Sequence, residues 1–278
     1  MKQALSTVED QRFEFGENWG HFLKALNGDR IEKAEESLKR MLQVSTLRDR
    51  TFLDIGSGSG IFSLAARRLG ARVHSFDYDK RSVDCAVELK RQYYIDDKDW
   101  IIEEGSILDE MYVRSLGKFD FVYSWGVLHH TGAMWQALEN AKIPVAPDGR
   151  LFIAIYHDQG RPTKYWKYVK RLYVRLPKEL KFVILWPAFL RLWGPTTIRD
   201  LLCGTPFHAW RRYVVNRGMS PWRDVVDWVG GYPFEAAKPE EVFEFYRERG
   251  FNLLTLKTVG GHGCNEFVFT KVKDGERV

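Results

Sequence analysis

The sequence predicts a doubly wound α/β fold, and three observations lead to this expectation. A short apolar run at residues 52–55 is followed by a glycine-rich turn and then by helical spacing over residues 61–69. Strand-like and helix-like segments go on alternating as far as residue 156. Two more strand-like segments, at 251–259 and 266–273, end the pattern. We therefore expect a mainly parallel, seven-stranded sheet whose last strand is antiparallel.

The elements of this core follow one another in a regular order. The first strand ends in Gly-Ser-Gly-Ser-Gly, where glycines let the backbone approach a ligand closely. The helix after it stops at Gly70, a residue typical of helix C-termini. Further strands are predicted at residues 72–76, 100–103, 119–124 and 150–156, and the last of these is entered through the turn Pro147-Asp148-Gly149.

The spacing of the glycine turn separates two classes of ligand. The pattern is D-x-G-x-G-x-G, formed by Asp54, Gly56, Gly58 and Gly60, and Ile61 occupies a position where a dinucleotide fingerprint needs glycine. A carboxylate at Asp54 would repel a pyrophosphate lying on the helix N-terminus. It suits a ligand that has an ammonium group and no phosphate, such as S-adenosylmethionine (SAM). A nicotinamide cofactor is the disfavoured alternative.

A second carboxylate follows the second predicted strand. Asp77 lies 21 residues after Gly56, at the expected end of that strand. There it can accept hydrogen bonds from both ribose hydroxyls of an adenosine. Tyr78, the next residue, is predicted to line the same site.

At this point the chain resembles class I SAM-dependent methyltransferases, in particular the ubiquinone-biosynthesis O-methyltransferase-like group. The resemblance covers about residues 50–158 and 239–273 and includes DIGSGSG, SFDYD, EEGSILD and FDFVYSWGVLHHTG. It implies SAM as the cofactor, with roles for Asp54, Gly56, Gly58, Gly60, Asp77, Ser106, Ile107 and Trp125. A role for Trp19 in covering SAM is a second interpretation, beside plain core packing of the N-terminal aromatic residues.

Composition divides the chain into four parts. We expect an N-terminal helical cap (1–50), a SAM-binding core (51–158), an inserted lid or substrate module (159–238) and a C-terminal completion of the sheet (239–278). Residues 161–223 hold 14 Lys or Arg and two acids, Glu179 and Asp200, so this stretch carries +12 and the rest of the chain −7. It also contains five of the ten tryptophans. A shift this sharp indicates a separate module.

A basic amphipathic helix is predicted within the insert. Its apolar stripe would run through Tyr165, Tyr168 or Val169, Leu172 and Leu176, with four basic side chains on the other side. Three interpretations stay open: a lid helix packed on the core, a helix on an anionic membrane surface, and a nucleic-acid face. Nucleic acid is disfavoured because the Asn-Pro-Pro-Tyr-like turn common in base methylation is absent after the fourth strand.

Histidines supply the candidate catalytic groups. A hydroxyl nucleophile must lose a proton during methyl transfer, and a positioned imidazole can take it. His130, just past the fourth strand, is the first choice, because His129 beside it is expected to pack or to cap a turn. His157 is the second choice and His262 the third. No spacing of His, Cys, Asp or Glu indicates a metal site.

The function predicted is SAM-dependent methylation, most specifically O-methylation of a small or lipophilic substrate such as a quinol, a phenol or a lipid-linked glycan. The alternatives are a nucleic-acid methyltransferase that uses the basic insert, and a SAM-binding module without catalysis. The three cysteines and the lack of an apolar signal core predict a cytoplasmic protein, with peripheral membrane contact as one interpretation of the insert. The longest apolar run has nine residues, against the roughly 20 that a membrane span needs.

Overall fold

The computed structural model describes residues 26–217, 220–261 and 263–272, without the side chains of 214–217. The described chain forms two compact units. The larger one, called the core here, includes residues up to Gln159 and those from Glu235 onward. The smaller one, called the insert, is Gly160–Phe234.

Seven strands form the sheet of the core. Their order is β3-β2-β1-β4-β5-β7-β6, with β7 antiparallel to both β5 and β6 and the other neighbouring pairs parallel. This is the predicted doubly wound, mainly parallel sheet. The strands are β1 (Thr51–Ile55), β2 (Arg72–Asp77), β3 (Trp100–Glu104), β4 (Phe119–Trp125), β5 (Val145–Tyr156), β6 (Phe251–Lys257) and β7 (Cys264–Lys271).

Six α-helices of the core flank the sheet in the described residues. They are α1 (Gly28–Leu42), α2 (Ile61–Arg68), α3 (Lys80–Tyr93), α4 (Glu110–Ser115), α5 (Met134–Ala141) and α10 (Pro239–Arg247). Successive residues of a strand point to opposite faces of the sheet. Accordingly, Phe52 packs in one apolar cluster with α1 and α2, while Leu53 packs in another with α5 and α10. Both faces are therefore covered.

Some element boundaries differ from the predictions. Asn27 caps α1: its extended backbone lets the side-chain oxygen accept a hydrogen bond from the backbone N–H of Arg30. One face of that helix is buried, through Ile31, Ala34, Leu38 and Met41. Strand β5 begins at Val145, before the predicted turn, because its first residue pairs with Phe119 across an irregular register.

The insert is helical and has its own small core. Its helices are α6 (Arg161–Arg175), α7 (Phe182–Leu202), α8 (His208–Arg217) and α9 (Pro221–Gly230). Side chains of α6, α7 and α9 share one apolar cluster, formed by Trp166, Tyr173, Leu185, Ala188, Phe189, Val225 and Val229.

Most of the apolar stripe predicted for α6 is exposed to solvent. Tyr165, Tyr168 and Leu172 are exposed, and the helix packs instead through Trp166, Lys170 and Tyr173. Two large aromatic side chains fill the neighbouring stripe, and burying them there outweighs the cost of burying one lysine.

Candidate cofactor and methyl-transfer site

The candidate site lies where the strand order of the sheet reverses. Strand β1 is flanked by β2 on one side and β4 on the other. In open α/β sheets, ligands bind beyond the carboxyl ends of the strands at this switch point. The loops after β1, β2, β3 and β4 carry the predicted cofactor residues of the core, so the topology brings them to the same edge.

Gly56 joins two of these loops. It has a φ of +73°, a conformation that residues with a side chain rarely adopt. A Cβ built on it would lie 2.4 Å from Cγ1 of Val127, in the loop after β4. The backbone N–H of Gly56 also donates to the carbonyl of Phe76 in β2, over 2.8 Å. The glycine turn therefore packs directly against the β4 loop.

Asp77 holds the glycine turn from the neighbouring strand. Its Oδ2 accepts a hydrogen bond from the N–H of Gly58 over 2.9 Å, and its Oδ1 accepts one from the N–H of Asp79 over 2.9 Å. Burial raises the pKa of Asp77 to about 6, partly offset by these backbone hydrogen bonds. A carboxylate oxygen can accept more than one hydrogen bond, so acceptor capacity remains for a ribose.

Asp54 is buried rather than open to solvent. Its Oδ2 accepts a 2.6 Å hydrogen bond from the hydroxyl of Ser63, in the first turn of α2. Burial raises the pKa of Asp54 to about 7, against the lowering effect of the Ser63 hydrogen bond. A nearby cation would favour its ionised form. The predicted contact of Asp54 with a ligand ammonium group stays a prediction.

Two buried hydroxyls near the glycine turn have no hydrogen-bond partner among the described residues. One belongs to Ser57, inside the turn, and the other to Tyr123, which pairs with Asp54 in the register of β1 and β4. Buried polar atoms are normally paired with protein, water or a ligand, so these two hydroxyls are candidates for such a partner. Ser57 was not among the predicted cofactor residues, although its position between two glycines of the motif was a usable signal. These groups and the glycine backbone fit a polar, phosphate-free cofactor such as SAM.

The loop after β3 carries Ser106 and Ile107, two of the predicted cofactor residues. The hydroxyl of Ser106 accepts the N–H of Leu108, and the carbonyl of Ile107 accepts the side-chain amide of Asn140 over 2.8 Å. The side chain of Ile107 is buried in the core cluster beneath the sheet. Tyr78, directly after Asp77, is exposed. The cofactor roles of Ser106, Ile107 and Tyr78 stay predictions.

Trp125 ends β4 and is partly exposed. Its Nε1 donates to Oε1 of Glu266 on β7, a 3.3 Å contact, and the same oxygen lies 3.2 Å from Nζ of Lys257. This pairing holds the indole at the carboxyl edge of the sheet. Its contact with the cofactor stays a prediction.

The two adjacent histidines differ in exposure. Both lie on a 3₁₀ turn, Leu128–His130, directly after β4. His129 is fully buried, with its ring 4.1 Å from that of Tyr156, whereas His130 is only half-buried. The N–H of His130 donates to the carbonyl of Val127, the residue that packs on Gly56. His130 is therefore one 3₁₀ turn along the chain from Val127, the residue that contacts the glycine turn.

His157 follows β5 and has an ordered partner. The Oδ1 atom of the buried Asn265 accepts the N–H of Val259, so its amide NH₂ faces Nδ1 of His157 at 3.1 Å. Nδ1 then acts as an acceptor, and the proton of the neutral imidazole resides on Nε2. His157 is thus arranged to donate a hydrogen bond from Nε2.

Two predicted residues lie outside the part of the chain that the structure describes. These are Trp19, a candidate cover for the cofactor, and His262, the third-choice base. Within the described ranges, no group of three or more His, Cys, Asp or Glu side chains could hold a metal ion. None of the described helices is long and apolar enough to cross a membrane.

Comparison with known proteins identifies the family of the chain. A family model described as a methyltransferase domain matches residues 26–179, more than half of the chain. The ribosomal protein L11 methyltransferase of Thermotoga maritima is 39% identical over 75 residues, which are 27% of this chain and 26% of that protein. The chain thus spans about a quarter of the length of this curated relative.

Solved structures show the same fold. The magnesium protoporphyrin IX methyltransferase of Synechocystis PCC 6803, with bound SAH, has a TM-score of 0.53 at 12% identity, over 87% of this chain and 83% of that chain. PKMT2 of Rickettsia typhi, in complex with AdoHcy, has a TM-score of 0.55 at 14% identity, over 86% and 52%. With its switch-point glycine turn and its match to the family model over more than half of its length, the chain belongs to the methyltransferase-domain family.

Proposed function

We propose that the protein methylates a hydroxyl group of a small or lipophilic substrate, such as a quinol, a phenol or a lipid-linked glycan, and that His130 is the general base. The supporting observation is the position of His130, half-buried on the turn that packs against Gly56. When bound, SAM supplies a methyl carbon that is electrophilic because it is attached to a sulfonium. The protein has to align the acceptor and take its proton.

The surroundings of His130 suit this task. Its backbone is held by the 2.8 Å hydrogen bond to Val127, and its ring lies edge-on to Tyr156 at 5.5 Å between centroids. The adjacent ring of His129 lies 4.5 Å away. These contacts restrict the imidazole to few orientations, which lowers the entropy lost when an acceptor binds. His129 is fully enclosed, so it supports the turn rather than meeting a substrate.

His157 receives a different role in this proposal. The Asn265 amide directs the proton of neutral His157 to Nε2, and a protonated nitrogen cannot accept a proton from an acceptor hydroxyl. We therefore assign it as a hydrogen-bond donor that orients the substrate. Loss of this donor should raise KM more than it lowers kcat.

An acceptor screen with isotope-labelled SAM, covering quinols, phenols, lipids and glycans, comes first. On the acceptor found, His130→Gln should lower turnover by about 10²–10⁴-fold and leave SAM affinity unchanged. His157→Gln is the comparison variant and should mainly raise KM.

The product of the same reaction tests the methylated atom. Transfer of the label to nitrogen, sulfur or carbon would refute O-methylation, and near-normal turnover of His130→Gln would refute the base assignment. The absence of turnover with every acceptor, together with tight SAM binding, would favour a SAM-binding module without catalysis.

A further inference from the structure

Helix α7 exposes an apolar ridge to solvent. We define the ridge as Phe182, Val183, Trp186 and Leu190, which are exposed by 56%, 55%, 54% and 60%. The helix buries a different set of side chains in the small core of the insert, namely Leu185, Ala188 and Phe189. Exposed apolar side chains are ordinary when they are scattered singly, whereas four within about two turns of one helix indicate a surface for a partner.

Helix α6 also exposes an apolar stripe to solvent. Its exposed stripe consists of Tyr165, Tyr168 and Leu172, and it is flanked on the helix by exposed basic residues. Tyrosine and tryptophan are the side chains favoured at the boundary between water and lipid, because they combine an apolar ring with a polar edge. The insert therefore presents aromatic, aliphatic and basic side chains on the same helices.

The charge of the insert selects the partner. Residues 160–234 carry 14 basic side chains, of which Lys170 is buried, and four acidic ones, so the insert has an excess of ten positive charges. Arg175, the last residue of α6, and Lys178 precede Phe182, the first residue of the ridge, by seven and four positions along the chain. A basic cluster beside exposed apolar side chains matches an anionic lipid surface.

We propose that the ridge and the basic residues beside it bind the surface of an anionic lipid bilayer. No described helix is suited to crossing the membrane, so the protein would lie on it. The apolar side chains would enter the boundary between headgroups and acyl chains, and the lysines and arginines would meet the headgroups. Nucleic acid would use the same charges, but exposed Phe182, Val183 and Leu190 have no role against phosphates.

Vesicle flotation of the full chain tests the proposal. We expect binding to vesicles of phosphatidylcholine with 30% phosphatidylserine, and much weaker binding to phosphatidylcholine alone. The triple variant Phe182→Ser, Trp186→Ser, Leu190→Ser should lose at least tenfold in affinity. Arg175→Ala and Lys178→Ala should each lose about fivefold, which corresponds to roughly 1 kcal/mol per charge.

The core offers a matched control for the apolar variant. Ile95 and Met111 are exposed by 72% and 83%, and the variant Ile95→Ser, Met111→Ser should bind vesicles like the unmodified protein. Circular dichroism and SAM affinity confirm that every variant is folded. Equal binding by the ridge variant and the unmodified protein would overturn the proposal.

A labelled single-stranded RNA distinguishes the competing partner. RNA binding that depends on Arg175 and Lys178, combined with absent vesicle binding, would overturn the proposal in favour of nucleic acid. Because flotation needs neither SAM nor acceptor, its result is separate from methyl transfer. His130→Gln should float normally, so failure of the proposed base leaves the membrane assignment testable.

Discussion

Asp77 has a structural task in the protein as well as its predicted task in binding. Its two carboxylate oxygens each accept a backbone N–H, from Gly58 in the glycine turn and from Asp79 at the start of α3. A single side chain thus connects the ends of β1 and β2 before any ligand arrives. Burial raises its pKa to about 6, so its charge changes within an accessible pH range.

Asp77→Ala should weaken SAM binding by about 1–3 kcal/mol, because hydrogen bonds to a charged group are lost. Asp77→Asn keeps one acceptor oxygen and should lose less. In the unmodified protein, the ionised carboxylate is the better acceptor for ribose hydroxyls, so the Kd should rise as the pH falls through about 6. Calorimetry at pH 5.5 and 7.5 measures both effects. An Asp77→Ala variant with unchanged affinity would refute the ribose role.

Gly56→Ala tests the contact between the two loops. The new methyl group would lie 2.4 Å from Val127 and would also have to adopt a positive φ. The control is Gly117→Ala, where φ is +84° but nothing lies within 4 Å of the built Cβ. Both variants carry backbone strain of about 1 kcal/mol, and only Gly56→Ala adds the clash. Urea unfolding should show a clearly larger loss for Gly56→Ala, accompanied by weaker SAM binding; equal losses would contradict this account.

At the scale of elements, α6 shows how one buried lysine is accommodated. Lys170 is fully buried, and its Nζ donates to the carbonyl of Trp228. The same nitrogen lies 4.3 Å from the ring centroid of Trp228 and 4.8 Å from that of Phe234. Burial lowers the pKa of Lys170 to about 7, because the charged form is poorly solvated there.

Lys170 should make the stability of the insert depend on pH. Its pKa is about 7 in the folded protein and near 10.5 in the unfolded chain, so the unfolded chain binds the proton more tightly. Stability should therefore rise between about pH 7 and pH 10 and be insensitive to this group below pH 7. Lys170→Met keeps the unbranched apolar length and removes the titration. The urea midpoint of the unmodified protein should rise relative to that of Lys170→Met from pH 7 to 9.5; parallel curves would rule out this role.

At the scale of the whole molecule, the insert leaves and re-enters the core at neighbouring positions. His157 and Ala237 pair as a parallel bridge, the N–H of Asp158 donates to the carbonyl of Ala237, and the N–H of Ala237 donates to the carbonyl of Tyr156. All the predicted cofactor residues that the structure describes belong to the core. The predicted cofactor residues and the insert therefore occupy separate segments of the chain.

Replacement of residues 160–234 by a short Gly-Ser linker should leave SAM binding within about threefold of the original value. Methyl transfer to the natural acceptor should fall by more than 10²-fold, because the insert is predicted to hold the substrate. Calorimetry and a labelled-SAM assay measure the two quantities. A shortened protein that still methylates its acceptor would show that the insert is not the substrate module, and a folded one that no longer binds SAM would place part of the cofactor site in the insert.

The sheet and the glycine turn could both be predicted from the sequence. These features depend on contacts within a few residues, such as the turn after β1, or on strict alternation along a strand, which leaves a clear pattern. The half-burial of His130 beside the enclosed His129 agrees with the predicted order of preference, although the catalytic role stays a prediction.

Features that depend on residues far apart along the chain became visible only in the folded structure. The face on which α6 packs could not be predicted, because Trp166, Lys170 and Tyr173 contact residues of α7 and α9 that lie up to about sixty residues away along the chain. Ser57 became a candidate only when its hydroxyl proved to be buried without a partner among the described residues. The assignment of the His157 proton to Nε2 depends on the amide of Asn265, which lies 108 residues later in the chain. Periodicity reports which residues share a face, and only the packed neighbours decide which face is buried.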